Sequence, residues 1–191
     1  MIELKNVTVK FGSASVLENF ALTVSNGEHT ALMGPSGSGK TTVLKLIAGQ
    51  LKPCWGQVKV GAEKISYMFQ EPRLIPWLPA EEKVNLVLGD SSATLPLAQE
   101  WLRRVGLAGA EHKYSSELSG GMRQRVALAR ALAYNGDLFL FDEPLSSLDK
   151  TLADEMLVLI KRYTKGKTVV FVTHSFEQAK QVADSIYVLK K

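Results

Sequence analysis

The segment GPSGSGKT, Gly34 to Thr41, follows the apolar run Thr30–Met33 and opens a stretch in which Val43, Leu44 and Ile47 recur at helical spacing. A strand that turns directly into a helix through three glycines leaves few folds open. Gly34, Gly37 and Gly39 permit backbone conformations closed to other residues, so the loop can wrap with its N–H groups pointed inward. The helix that follows adds its positive N-terminal end. Such a nest suits a polyphosphate. Lys40 is spaced to reach the outer phosphates of a triphosphate, and the Thr41 hydroxyl to ligate magnesium. Pro35, Ser36, Ser38 and Thr42 complete the loop. A chance glycine-rich turn is the competing reading, and the full match between strand and helix counts against it.

The rest of the chain alternates in a compatible way. Strands are expected at Ile2–Val9, Phe20–Val24, Thr30–Met33, Gln57–Val60 and Lys64–Phe69, with Thr41–Ala48 as a helix ended by Gly49. From Pro76 to Asn135 the pattern is mostly helical, with one helix around Glu100–Val105 and another starting at Ser119 as N-cap. Met122, Val126, Ala129 and Ala133 form its expected inward stripe. Strand Leu138–Phe141, helix Leu152–Tyr163, strand Thr168–Val172, helix Phe176–Ala183 and strand Ser185–Leu189 follow. This predicts an α/β fold with a mainly parallel sheet flanked by helices, a small N-terminal antiparallel β region and an inserted helical subdomain. One domain is expected over 1–191: 1–76 and 135–191 form the α/β core, and 77–134 the helical insertion.

LFLFDEP, Leu138 to Pro144, is a buried strand ending in two carboxylates. Alone it reads as a turn start; behind a phosphate loop, Asp142 is placed to hold Mg²⁺ and Glu143 to take a proton from an attacking water. A second glycine pair, Gly120-Gly121 after Ser119, leaves bare N–H groups at a helix start, which makes another anion site.

In order, GPSGSGKT, FQEP, LSGGMRQR, LFLFDEP, SSLD and VTHS resemble the ATP-binding cassette (ABC) family over essentially the whole chain. The resemblance implies an ATPase using ATP and Mg²⁺. LSGGM, Leu118 to Met122, looks like the family signature, which closes over the nucleotide held by a second, head-to-tail cassette. Ser119, Gly120, Gly121 and Met122 would thus serve the partner's site, and Asp149 in SSLD would cross the interface. Gln70 matches a glutamine that touches Mg²⁺ and the attacking water. His174 matches a histidine that contacts the γ-phosphate; a lone histidine is otherwise usually structural. Phe11 stands where an aromatic stacks on adenine, with a core phenylalanine as the alternative. The implied partners are a second ATP-binding subunit (a homodimer), transmembrane permease subunits and an extracytoplasmic solute-binding protein, with no nucleic acid. The implied location is cytoplasmic, peripheral at the inner face of the membrane.

FQEPRLIPWL, Phe69 to Leu78, is similar to cassettes of bacterial importers for nitrate, sulfonates and taurine. Trp77 either anchors a permease helix there or packs within the helical subdomain. The chain departs from the pattern in a nearly absent segment between Gly61 and Lys64, in Ser115 where proline is usual, and in lacking a tail, from which no appended regulatory domain is expected. Single Cys54 excludes an internal disulfide, and no leader or bilayer-spanning run is expected. A formal charge of +4, spread without basic runs, reads as a solvated surface rather than a nucleic-acid face. A nucleic-acid ATPase on the same cassette is the alternative. Its chromosomal members carry a long coiled coil before the signature and its translation members two cassettes, and neither occurs here. A P-loop kinase or GTPase leaves LSGGM unexplained.

Overall fold

The computed structural model describes residues 1–190. Two sheets organise them. The first is antiparallel and joins β1 (Ile2–Phe11), β2 (Ala14–Val24) and β4 (Trp55–Val60) in the order β2-β1-β4. The second is parallel, in the order β5-β6-β7-β3-β8, from β3 (His29–Met33), β5 (Ile65–Met68), β6 (Leu138–Asp142), β7 (Thr168–Val172) and β8 (Ser185–Val188). The first two strands run longer than their apolar patterns suggest. Irregular register between Leu4 and Lys10 leaves Asn6, at a left-handed φ, unpaired in a bulge of the strand.

The parallel sheet is covered on both faces, and side-chain alternation divides it cleanly. In β6, Leu138 and Leu140 join the cluster shared with α1 (Lys40–Ile47) and the antiparallel sheet, whereas Phe139 and Phe141 join the cluster that runs into the helical region. β7 repeats the division, with Val170 and Val172 on one side and Val169 and Phe171 on the other. Every residue of β6 and β7 is buried, as expected of strands roofed on both faces.

Between β5 and β6 the chain forms α2 (Ala80–Asn85), α3 (Leu95–Arg104) and α4 (Gly120–Tyr134), which pack on one another, and α4 also packs on β5. α3 includes most of the expected Glu100–Val105 stretch and reaches back to Leu95, with Pro96 in its first turn, where its missing N–H costs nothing. α4 differs more. The expected stripe is only part of its buried surface, because Gln124, Ala127, Leu128, Ala131 and Leu132 are buried too. It lies between α2 and α3 on one side and β5 on the other, so the one-face pattern of a surface helix does not apply. Two further helices, α5 (Lys150–Tyr163) and α6 (Phe176–Val182), complete the α/β alternation.

Candidate nucleotide site

The chemistry-bearing residues gather where the parallel strands end, the usual place for a ligand in an open α/β sheet. β3 delivers the chain into Gly34, whose φ of 147° only glycine takes readily. A Cβ there would stand 2.7 Å from the Leu189 carbonyl oxygen and 2.8 Å from Ser38 Oγ. Gly39 ends the loop at φ 94° as the N-cap of α1, and a Cβ on it would meet Leu17 Cδ2 at 2.9 Å. The loop is thus wedged against both sheets.

Lys40 is 6% exposed and points back over its own loop. Its Nζ donates to the carbonyls of Gly34 at 2.8 Å and Pro35 at 2.9 Å. The loop therefore holds its cation in place, beside the N–H groups of the α1 start.

β6 ends at Asp142, which is 2% exposed, with Oδ1 buried and without a hydrogen-bond partner. Burial pushes its carboxyl above the ordinary aspartate range, opposed by a hydrogen bond from the Thr41 hydroxyl. An orphaned carboxylate oxygen beside a hydroxyl is a hard-oxygen donor set that fits Mg²⁺.

Glu143 takes a left-handed φ of 49°, which costs a side-chain-bearing residue about 1–2 kcal/mol. Its N–H donates to the Val172 carbonyl at 3.1 Å, tying it to the end of β7. The turn swings its carboxylate toward the chain beyond β7, where His174 Nε2 lies 2.6 Å from Glu143 Oε1. Thr173 fixes that segment: its N–H donates to the Leu32 carbonyl, its hydroxyl to Gln178 Oε1, and it accepts from the Ser175 N–H.

A cavity of about 360 Å³ opens among these groups, lined by Ser36, Gly37, Gly39, Lys40, Thr41, Thr42, Gln70, Glu143 and His174, with Val16 from β2. Residues from five separate stretches of sequence thus meet at one opening. Gly34, Pro35 and Ser38 are outside that lining, though the Gly34 and Pro35 carbonyls hold Lys40 and Ser38 Oγ packs beside Gly34. Val16 carries no motif signal and was invisible to sequence reasoning.

The remaining expected residues lie outside that lining. Phe11 ends β1 at 54% exposed, so it is not a core phenylalanine. Ser119 caps α4, its Oγ accepting from the Met122 N–H at 3.2 Å, and Ser119 and Gly120 are exposed. Asp149 caps α5 by accepting from the Leu152 N–H at 3.0 Å. Trp77 is 75% exposed, which removes the reading that it packs inside the helical region. Sequence reasoning also missed Gln124. It is 3% exposed, its Nε2 donates to the Glu143 carbonyl at 2.9 Å, and its Oε1 accepts from the Ser147 N–H at 2.9 Å and from the Ser147 hydroxyl.

A glycine nest at a strand-to-helix turn, an acidic strand end and a facing histidine define a P-loop nucleotide-binding protein. The chain belongs to the ABC transporter family, whose model matches residues 17–146. It is 40% identical to the Fe(3+) ions import ATP-binding protein FbpC of Escherichia coli O157:H7, across 100% of this chain and 59% of that protein. It is 37% identical to the taurine import ATP-binding protein TauB of the same organism, across 99% of this chain and 79% of that protein. The chain thus spans 59% of the length of its iron-import relative. Among solved structures, the dimeric post-hydrolysis state of the ATP-binding cassette MJ0796, bound to ADP and Pi, superposes with a TM-score of 0.90 at 35% identity, covering 100% of this chain and 94% of that one. Among the described residues, no helix is long and apolar enough to cross a membrane.

Proposed function

We propose that this chain is the ATP-hydrolysing subunit of a transporter, driving solute movement by separate membrane subunits, in the direction of import. The observation that carries the reading is the convergence of the Gly34–Thr41 nest, Glu143 and His174 on one opening. The glycine loop and the α1 start bind the phosphates of ATP, and Lys40 exchanges its loop carbonyls for the outer phosphates. Phe11 stacks on the adenine from the end of β1. Asp142, Thr41 and Gln70 would hold Mg²⁺, which neutralises phosphate charge when bound. Glu143 accepts the proton of the attacking water, and His174 holds that carboxylate in place and meets the γ-phosphate.

The signature residues Ser119, Gly120, Gly121 and Met122 do not line the cavity, which supports a role toward a second copy's nucleotide. Two chains related by a two-fold axis then complete two sites, with Asp149 at the interface. The dimeric relatives MJ0796 are in keeping with this. In this reading 1–76 and 135–191 act as the nucleotide core and 77–134 as the arm that presents the signature. Trp77 on that arm is an exposed anchor for a permease helix, at the inner face of the membrane. A solute-binding protein on the far side would complete the importer.

Glu143→Gln tests the core of this reading. It keeps the shape of the side chain and removes the base, so turnover should fall about 10²–10⁴-fold while ATP still binds. ATP should then hold the variant as a dimer in sedimentation. Undiminished hydrolysis by Glu143→Gln would exclude it as the base.

A further inference from the structure

Gln124 is buried, uncharged and outside the cavity lining, yet both ends of its amide are used. Nε2 donates to the Glu143 carbonyl at 2.9 Å and faces Ser146 Oγ at 3.3 Å. Oε1 accepts from the Ser147 N–H and the Ser147 hydroxyl. One side chain on the second turn of α4 therefore grips the backbone of the residue read as the base, and the loop that follows it. Glu143 depends on such a grip. Its left-handed backbone persists only where surrounding groups enforce it. The Val172 carbonyl holds its N–H, and Gln124 is the side chain that holds its carbonyl, alongside the Ser146 N–H of the same turn.

A second observation joins the same two pieces. A Cβ on Gly121, in the first turn of α4, would stand 3.2 Å from the Ser147 carbonyl oxygen and 3.2 Å from Leu148 Cδ2. The start of α4 thus packs directly on the loop that Gln124 grips. α4 cannot shift along its axis without pulling that loop, and the loop begins at Glu143.

We propose that Gln124 is a positioning residue that transmits closure of the Ser119 end of α4 on a second copy's nucleotide to the Glu143 backbone of its own chain. The inference rests on the function proposed above and deepens it. Each site would become competent only when the same chain has engaged the other site through its helix start. The two hydrolysis events are then linked inside one protomer, by an amide and a packed glycine.

The test uses the full chain with Gln124→Met, which keeps length and removes both hydrogen-bonding ends. Gln124→Glu is the second variant, keeping the acceptors for Ser147 while removing the donor to Glu143. Glu143→Gln is the reference. ATPase turnover in both Gln124 variants should drop about 10- to 100-fold, the usual cost of removing a supporting partner of a reacting group. The KM for ATP should stay within about threefold, since no phosphate contact is touched. With ATP, both should accumulate as dimers in sedimentation, as is expected of Glu143→Gln. Wild-type turnover in the folded variants would overturn the proposal. So would loss of ATP affinity and of the dimer in step with turnover, the result a merely structural role would give. Should Gln124→Met fail to fold, Gln124→Glu decides alone by the same criteria. If Glu143→Gln itself keeps full turnover, the reading of the base fails first and this inference with it.

Discussion

Gly34 and Gly37 lie three residues apart in one loop, both at φ values that disfavour a side chain, yet their surroundings differ. At Gly37, φ 79°, an added Cβ meets nothing within 4 Å. Gly37→Ala should cost only the backbone strain of a left-handed residue, about 1–2 kcal/mol. At Gly34, φ 147°, the same Cβ collides with the Leu189 carbonyl oxygen at 2.7 Å and Ser38 Oγ at 2.8 Å. Ser38 is itself buried, and a backbone carbonyl cannot swing aside as a side-chain end can. Overpacking adds about 1–3 kcal/mol, so Gly34→Ala should cost about 2–5 kcal/mol in all. For a chain of this size each kcal/mol shifts Tm by about 2–4 °C. Urea denaturation of the nucleotide-free protein, with the m-value checked for constancy, measures both. Gly34→Ala should also weaken ATP binding, because the carbonyl that Lys40 holds belongs to Gly34. Equal midpoints for the two variants would refute the close packing of the loop against β8 and its following residue.

Three further outcomes follow from the geometry. Burial raises the Asp142 carboxyl, so its ionised form opposes folding, and stability is lost as pH rises above about 3.9, the unfolded aspartate value. Asp142→Asn should therefore raise the melting midpoint at neutral pH while abolishing hydrolysis, and the gain should disappear in acid below that value; a lower midpoint at neutral pH would contradict this. Asp149→Ala removes the α5 cap and should cost about 0.5–2 kcal/mol, whereas Asp149→Ser keeps a cap, so activity lost in both but stability lost only in Asp149→Ala would separate capping from the interface. Trp77→Ala should change stability by less than about 0.5 kcal/mol because the ring is 75% exposed. Under the proposed function, its effect should be confined to weaker capture of permease subunits in a pull-down.

What the sequence made legible was local. The glycine loop, the acidic end of β6 and the Ser119 cap each depend on a few consecutive residues, and each stands where its spacing placed it. The Asp149 cap was not foreseen, since α5 starts at Lys150 rather than at the expected Leu152. Partnerships across the fold were not legible. Gln124 reads as one polar residue in a helix, and its partners Glu143, Ser146 and Ser147 lie 19 to 23 residues on, beyond a buried strand. The left-handed turn at Glu143 leaves no mark either, because glutamate carries none of glycine's conformational signature. Arg130 donates to the Pro72 and Arg73 carbonyls and so helps fasten the segment after Gln70, a link that no local pattern announces. α4 was misjudged for the same reason: period finds one apolar face, and only the packing of α2, α3 and β5 around it reveals the other.

The division of β6 between two hydrocarbon compartments bears on accuracy as well as on stability. Sliding this strand by one position would thrust two phenyl rings into space moulded around isobutyl groups, and leucines into space moulded around rings. Both errors arise together, on opposite sides, so neither can be relieved by yielding toward the other. The height at which the two acids emerge above the sheet is thereby set by grease several ångströms below them.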